Sequence, residues 1–277
     1  MMDRDTTPWL IPLLLAAAVG AAVWYYWLQV EKPGLRAPPA TAMPAIPSVP
    51  APQEHSGPLY PISPVNFSRN IKPDLRPLPP LDDSDEYFKL ELTDLFGDPI
   101  GSLISRSRII ERVVATVDSL PRHHLAQRMR PVNGLAAAFI ADSEGGNLYS
   151  MNRENYHRFD ALVAIIGETD VASLADLYLR YYTLFQKAYV ELGYPNGYFN
   201  DRLVEAIDDL LATPDLESPV LLIRPHVLYE FESPANEARS SGQKLMLRMG
   251  SENAAVVKEK LKELRSVIVS QALATLP

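Results

Sequence analysis

Residues Trp9–Leu28 read WLIPLLLAAAVGAAVWYYWL, twenty positions without a charge. About 20 apolar residues is the length of helix that crosses the hydrocarbon core of a bilayer. Pro12 and Gly20 are tolerated in such a helix. Trp24, Tyr25, Tyr26 and Trp27 close it with the aromatic residues that settle at a membrane–water interface. A cleaved signal peptide would have a shorter apolar core and a more basic start than Met-Met-Asp-Arg-Asp, and no small-x-small cleavage site follows. The expectation is a single transmembrane helix over residues 9–28, preceded by a short tail, residues 1–8. Its direction is read from two opposed signals. Arg4 before the span, against Lys32 and Arg36 after it, leans toward a cytoplasmic C-terminal side. A short tail followed by a long passenger suits translocation, because long domains cross largely regardless of charge. We take the second reading: a single-pass membrane protein whose long C-terminal domain is exported.

From Gln29 to Pro80 the composition changes. Fourteen of the chain's 25 prolines fall here, with few large apolar residues. Such a stretch cannot build a core and samples extended polyproline II backbone, so residues 29–80 read as a disordered Pro-rich linker. Fully extended, ~50 residues at roughly 3.1 Å each would reach about 150 Å. No basic-flanked PxxP cluster marks it as a ligand for a proline-recognising domain.

Residues 81–277 read as a globular, mostly helical domain with a small β element, an α+β fold. The chain is 47% hydrophobic and 22% charged, which is enough for a sizeable core. Its net charge of −8 argues against a nucleic-acid partner, which calls for a basic face. The absence of cysteine excludes disulfides, iron–sulfur clusters and thiol catalysis. Ser84 or Asp85 opens a helix that Gly97 stops. Arg106–Leu120 carries Ile109, Ile110, Val113, Val114 and Val117 at helical spacing. Gly145-Gly146-Asn147 joins two short strands. Asn155 caps a helix reaching Ile166. Asp170 caps a longer one, Val171–Leu192, whose apolar stripe includes Tyr178, Tyr181, Phe185 and Tyr189. Asn200 caps Asp201–Leu211. Val220–Ile223 and Val227–Phe231 are strand candidates. Ser233-Pro234 opens a helix toward Met249, and Ser251 starts the last one.

Five stretches resemble one bacterial family, catalogued as domain of unknown function 3014. They are LPPLDDSDEY at Leu78–Tyr87, TVDSLP at Thr116–Pro121, GYFNDRLVEAIDDLLATP at Gly197–Pro214, YEF at Tyr229–Phe231 and GQKLMLRMG at Gly242–Gly250. The resemblance covers nearly all of the chain after Leu78. It implies a membrane-anchored architecture with a Pro/Ala-rich linker and a bacterial envelope setting. It carries no activity, substrate or catalytic residue.

The stretch ELGYPNGYFNDRL, Glu191–Leu203, holds the densest group of candidate binding residues. Gly193 fits a left-handed helix cap, Pro195-Asn196-Gly197 is turn chemistry, and Asn200 and Asp201 suit a helix start. Tyr194, Tyr198, Phe199 and Arg202 are left over. Phe199 can staple Val204 and Arg202 can pair with a carboxylate. Alternatively, the four form an aromatic platform with an arginine, suited to a sugar or peptide partner. A second group, Arg224, His226, Tyr229 and Glu230, joins polar side chains to a strand pair, as a buried ion pair or as a groove.

Other motifs are weaker. Ser241-Gly-Gln-Lys244 matches S-x-x-K without its companion K-T-G or S-D-N elements, and reads as a solvated helix surface. DDSDE at Asp82–Glu86 lacks the glycine and distal glutamate of a calcium loop, and reads as a helix-start charge cluster. His123 and His124 sit among arginines that disfavour a metal. Neither a cofactor nor a metal is expected. The reading that follows is a membrane-tethered, non-catalytic interaction module of the cell envelope, binding an envelope protein or cell-wall component. The alternative is an envelope hydrolase or transferase acting on a cell-wall or glycan substrate through carboxylates near Arg224 and His226.

Overall fold

The computed structural model describes residues 57–62, 77–123, 138–216 and 218–273, all within the unit that spans residues 55–277. The expected tail, transmembrane span and most of the linker lie outside the described residues. Among the described residues no helix is long and apolar enough to cross a membrane. The element order after a 3-10 turn at Leu81–Asp83 is α1 (Asp85–Phe96), α2 (Pro99–Leu103), α3 (Ile109–Ser119), β1 (Ala141–Gly145), β2 (Leu148–Met151), α4 (Glu154–His157), α5 (Asp160–Glu168), α6 (Val171–Glu191), α7 (Phe199–Leu211), β3 (Leu221–Ile223), β4 (Glu230–Phe231), α8 (Pro234–Glu237), α9 (Ser241–Arg248) and α10 (Ser251–Leu273). The domain is thus mostly helical with one small antiparallel sheet of order β1-β2-β3-β4, as the composition and periodicity anticipate.

Helix α6 is the column around which the rest packs; α1, α3, α7 and α10 all lie against it. Asp170 starts it, its carboxylate accepting the N–H groups of Ala172 and Ser173 at 3.3 and 3.2 Å, two of the donors that a helix N-terminus leaves unpaired. The buried residues Tyr178, Tyr181, Leu184, Phe185, Ala188 and Tyr189 recur at three and four positions, so they share one broad face. Phe185 lies parallel to Phe199 of α7 (5.5 Å, 10°) and meets Phe88 of α1 edge-on (5.7 Å, 81°). Such ring pairs add about 0.5–1.5 kcal/mol each beyond the area they bury.

Helix α3 begins three residues later than expected. Arg108 stands at φ 56°, in the left-handed region, and supplies no cap of its own. Its place is taken by Asp85, whose carboxylate accepts Arg108 N–H at 2.7 Å and Ile109 N–H at 2.8 Å. Asp85 is therefore the first residue of one helix and the cap of another.

Two expected helices are broken. Asn155 does not cap a helix to Ile166; α4 and α5 replace it. The Asn155 side chain is buried and pairs with the backbone of Ile140, accepting its N–H at 2.9 Å and donating to its carbonyl at 2.5 Å, which ties the chain entering β1 to α4. The helix expected from Ser233 toward Met249 splits at Ser240. The Ser240 hydroxyl accepts the Gln243 N–H at 3.0 Å and donates to Asp209 at 2.6 Å, so it starts α9 and binds it to α7. The strand expected at Val227–Phe231 shrinks to Glu230–Phe231, because the chain bends over residues 225–228 before it returns to pair with β3. The hairpin of β1 and β2 turns at Gly145 and Gly146, both with positive φ, as expected.

Six residues of the Pro-rich stretch, Gly57–Ile62, lie on this body. Asp201 accepts Leu59 N–H at 2.9 Å and Tyr60 N–H at 2.8 Å. Asn200 donates to the Tyr60 carbonyl at 2.8 Å. Tyr60 and Ile62 pack against the main core.

Gly250 separates α9 from α10 at φ 84°, and a Cβ there would come within 2.9 Å of the Tyr156 ring. Gly250→Ala combines positive-φ strain with overpacking, and is expected to destabilise the domain by about 1–3 kcal/mol. Urea unfolding checks this; an unchanged midpoint would contradict the geometry.

Candidate functional site

The turn after α6 is held from below by one side chain. Gln186 accepts the Phe199 N–H at 2.8 Å and donates to the Gly197 carbonyl at 2.8 Å, so its amide substitutes for a strand partner. Tyr194 stacks on Tyr189 (4.6 Å, 21°). Helix α7 begins at Phe199, two residues before the expected start at Asp201. Asn200 is not its cap. It is fully buried, accepting the Tyr178 hydroxyl at 2.9 Å while it holds Tyr60. Phe199 is 1% exposed and belongs to the core with Val204, so it forms no platform. Tyr198 is the one exposed ring of the four candidates' aromatic residues.

Tyr194 and Arg202 meet at Asp118, the last-turn aspartate of α3. Asp118 Oδ1 accepts from Arg122 Nη2 at 2.9 Å and from Arg202 Nε at 3.1 Å. Its Oδ2 accepts from the Tyr194 hydroxyl at 3.3 Å, and that hydroxyl accepts from Arg122 Nη2 at 2.5 Å. Arg202 also donates to the Asp118 carbonyl and pairs with Glu205 at 2.6 Å. The same corner receives α9: Ser241 N–H donates to the Arg122 carbonyl at 2.6 Å and Gly242 N–H to the Leu120 carbonyl at 2.9 Å. A Cβ at Gly242 would lie 3.2 Å from that carbonyl and 2.7 Å from Leu210, so glycine permits the approach. TVDSLP and GYFNDRLVEAIDDLLATP are thus joined by the Asp118 carboxylate, and GQKLMLRMG docks beside them on the Leu120 carbonyl. Asp118 escaped the search for binding residues, yet it had a signal: it stands four residues after Val114 on the buried face of an apolar helix.

The second candidate group lies on the sheet. Arg224 stacks over Tyr229 (5.3 Å) and donates to the Val227 carbonyl at 3.1 Å. His226 is exposed, and Glu230 sits half-buried in β4 opposite Ile223. Among the described residues no hydrogen bond or ring contact joins this group to Tyr194, Tyr198, Phe199 and Arg202. Beneath it, Arg248 lies over Phe231 (5.1 Å) and reaches the Tyr229 carbonyl at 3.3 Å. Lys244 pairs with Glu237 at 2.8 Å, and Glu237 also accepts the Phe231 N–H at 2.9 Å. The lysine of the S-x-x-K match thus serves an ion pair under the sheet. Among the described residues no cluster of three metal-ligating side chains exists, and no buried side-chain nitrogen or oxygen lacks a partner.

One concave feature has a different chemistry. A pocket of about 300 Å³ is lined by side chains of α1, α3, α6, α7 and α10, among them Phe88, Leu92, Val113, Leu177, Tyr178 and Leu264. The ring of Tyr178 faces it while its hydroxyl is committed to Asn200.

Removing the Asp118 carboxylate leaves the nearly buried Arg202 with the residue-118 carbonyl and the mostly exposed Glu205, whereas Arg122 is about half exposed (side-chain exposures of Arg202 and Arg122 12% and 49%). Asp118→Ala is expected to cost about 2–4 kcal/mol and Arg122→Ala less than about 1 kcal/mol, both read by denaturant unfolding. Burial works to raise the Glu237 pKa, but the Lys244 hydrogen bond, the Phe231 N–H and the charges of Lys244 and Arg248 outweigh it, and the net shift is downward. A depressed carboxylate stabilises the fold above its unfolded pKa and loses that contribution as pH falls through the folded value. Glu237→Gln should therefore flatten the acid limb of the stability–pH profile below the ordinary glutamate range; an unchanged limb would contradict the pairing.

No curated protein and no solved structure matches the chain. A family model described as "Protein of unknown function (DUF3014)" matches residues 109–265, which takes in Asp118, Arg202 and the whole sheet. With more than half of its length matched, the chain belongs to the DUF3014 family.

Proposed function

We propose that the chain is a membrane-tethered, non-catalytic interaction module of the bacterial cell envelope. Trp9–Leu28 holds it in the inner membrane, the Pro-rich segment spaces it, and the helical domain meets an envelope protein or cell-wall component on the periplasmic side. The observation that carries this reading is the uncharged twenty-residue run followed by fourteen prolines before the folded body. A tether raises the local concentration of the domain near the membrane, so a weak contact suffices. The domain supports the reading in one respect: Arg202 and the lysine of the S-x-x-K match are engaged with carboxylates. Asp118 holds Arg122 and Arg202, and Lys244 holds Glu237. Tyr198, Arg224 and His226, all exposed, are the candidate residues placed to touch a partner.

A hydrolase or transferase has less support. Arg224 and His226 stand on an exposed bend, with Val227 and Leu228 76% and 73% exposed beside them. Catalysis by carboxylates calls for ionisable groups converging in a cleft. Two measurements test the proposal. A C-terminal reporter active only outside the cytoplasm should be active, and activity of a cytoplasm-only reporter would overturn the orientation. Crosslinking of the full-length chain in cells should capture partners that disappear when residues 81–277 are deleted; an unchanged partner set would overturn the interaction role.

A further inference from the structure

We propose that the pocket between α1, α3, α6, α7 and α10 is a binding site for a single medium-length hydrocarbon chain, the acyl chain of a fatty acid or lipid. Its lining is carbon throughout: Phe88, Leu92 and Phe96 from α1, Leu177 and Phe185 from α6, Leu264 from α10 and their neighbours. The single lining residue with a polar atom, Tyr178, turns its hydroxyl to Asn200 at 2.9 Å. A polar or charged ligand would leave its groups unpaired against such walls, and water finds there none of the two to four partners it needs. Hydrocarbon is the chemistry that remains.

Size narrows the class. About 300 Å³ lies at the small end of the ~300–1,000 Å³ range of small-molecule sites. It admits one slim chain. An amphipathic helix from a partner would require a groove that takes apolar side chains along two or more turns. The walls belong to five separate helices, three of which, α3, α6 and α7, are fixed to one another at Asp118 and through the Phe185–Phe199 stack. Those three walls are held at a set spacing, and α1 and α10 complete the lining from the other side. The assignment stands on this lining and is independent of the tether.

The test uses the full-length chain in detergent micelles, with decanoate carrying a terminal diazirine in one arm and a diazirine-labelled phosphatidylethanolamine in the other. Irradiation followed by peptide mapping should place adducts on peptides containing Leu92, Leu177 or Leu264. Unlabelled decanoate should compete, and adducts there should fall by about tenfold or more in Leu177→Trp. Leu264→Phe, which adds less volume, serves if the first variant fails to fold. Labelling by either probe or both supports the proposal, the pattern telling free acid from lipid. Adducts confined to Trp9–Leu28 or the outer surface, or unaffected by both filling variants, overturn it. So does pocket protection that appears only when a captured protein segment crosslinks to Leu177 or Leu264.

Discussion

A charge cannot be taken out of water without partners to replace it, and the architecture of this domain turns on how one charge, on Asp118, meets that demand. Its carboxylate lies on the inward face of α3, where the helix periodicity would otherwise place a hydrocarbon. Arg202 from α7, Arg122 from the following turn and the Tyr194 hydroxyl complete its hydrogen bonds. Each partner comes from a different local structure, so the pairing also sets the register of α3, the α6–α7 turn and, through the carbonyls of Leu120 and Arg122, the start of α9. An apolar residue at the same place could pack as tightly, but it would not choose among helix rotations. Buried ion pairs contribute more reliably to specificity of arrangement than to net stability in some systems, and a carboxylate that joins the end of α3 to the turn before α7 and to α7 itself fits that use.

Much of the fold was legible because its signals are local. Asp170, the stripe on α6 and the Gly-Gly-Asn turn act within a few residues of themselves, and the structure has them where the pattern puts them. The misreadings share a cause. Asn155 and Asn200 are residues of the type that start helices, and each stands at a helix start, yet each spends its amide on a distant backbone: Ile140 in one case, Tyr60 in the other. Asp85, which looks like a first-turn acid, caps a helix 23 residues further on. Residue type announces what a side chain can bond to, not how far away the partner lies.

The candidate site was legible in the same partial way. Arg202 was foreseen with a carboxylate partner, but which carboxylate depends on the packing of α3 against α7. An aromatic residue before a helix reads alike whether it faces water or the core, so Phe199 and Tyr198 could not be told apart by spacing; one is buried in a ring stack and the other is exposed. The apolar pocket had no sequence signal at all. Its lining residues are those of an ordinary core, and what makes them a pocket is the distance between helices rather than the identity of any residue.

The hold of Asp201 and Asn200 on Leu59 and Tyr60 has a mechanical consequence. Among the described residues this clasp, at the start of α7, is the most N-terminal hold on the folded body, so a pull applied at Gly57 meets it first. The clasp consists of three hydrogen bonds roughly side by side, two of them to a single carboxylate, with the rings of Tyr60 and Tyr178 behind them. A load taken up there passes into the start of α7, where Phe199 stacks on Phe185 of α6.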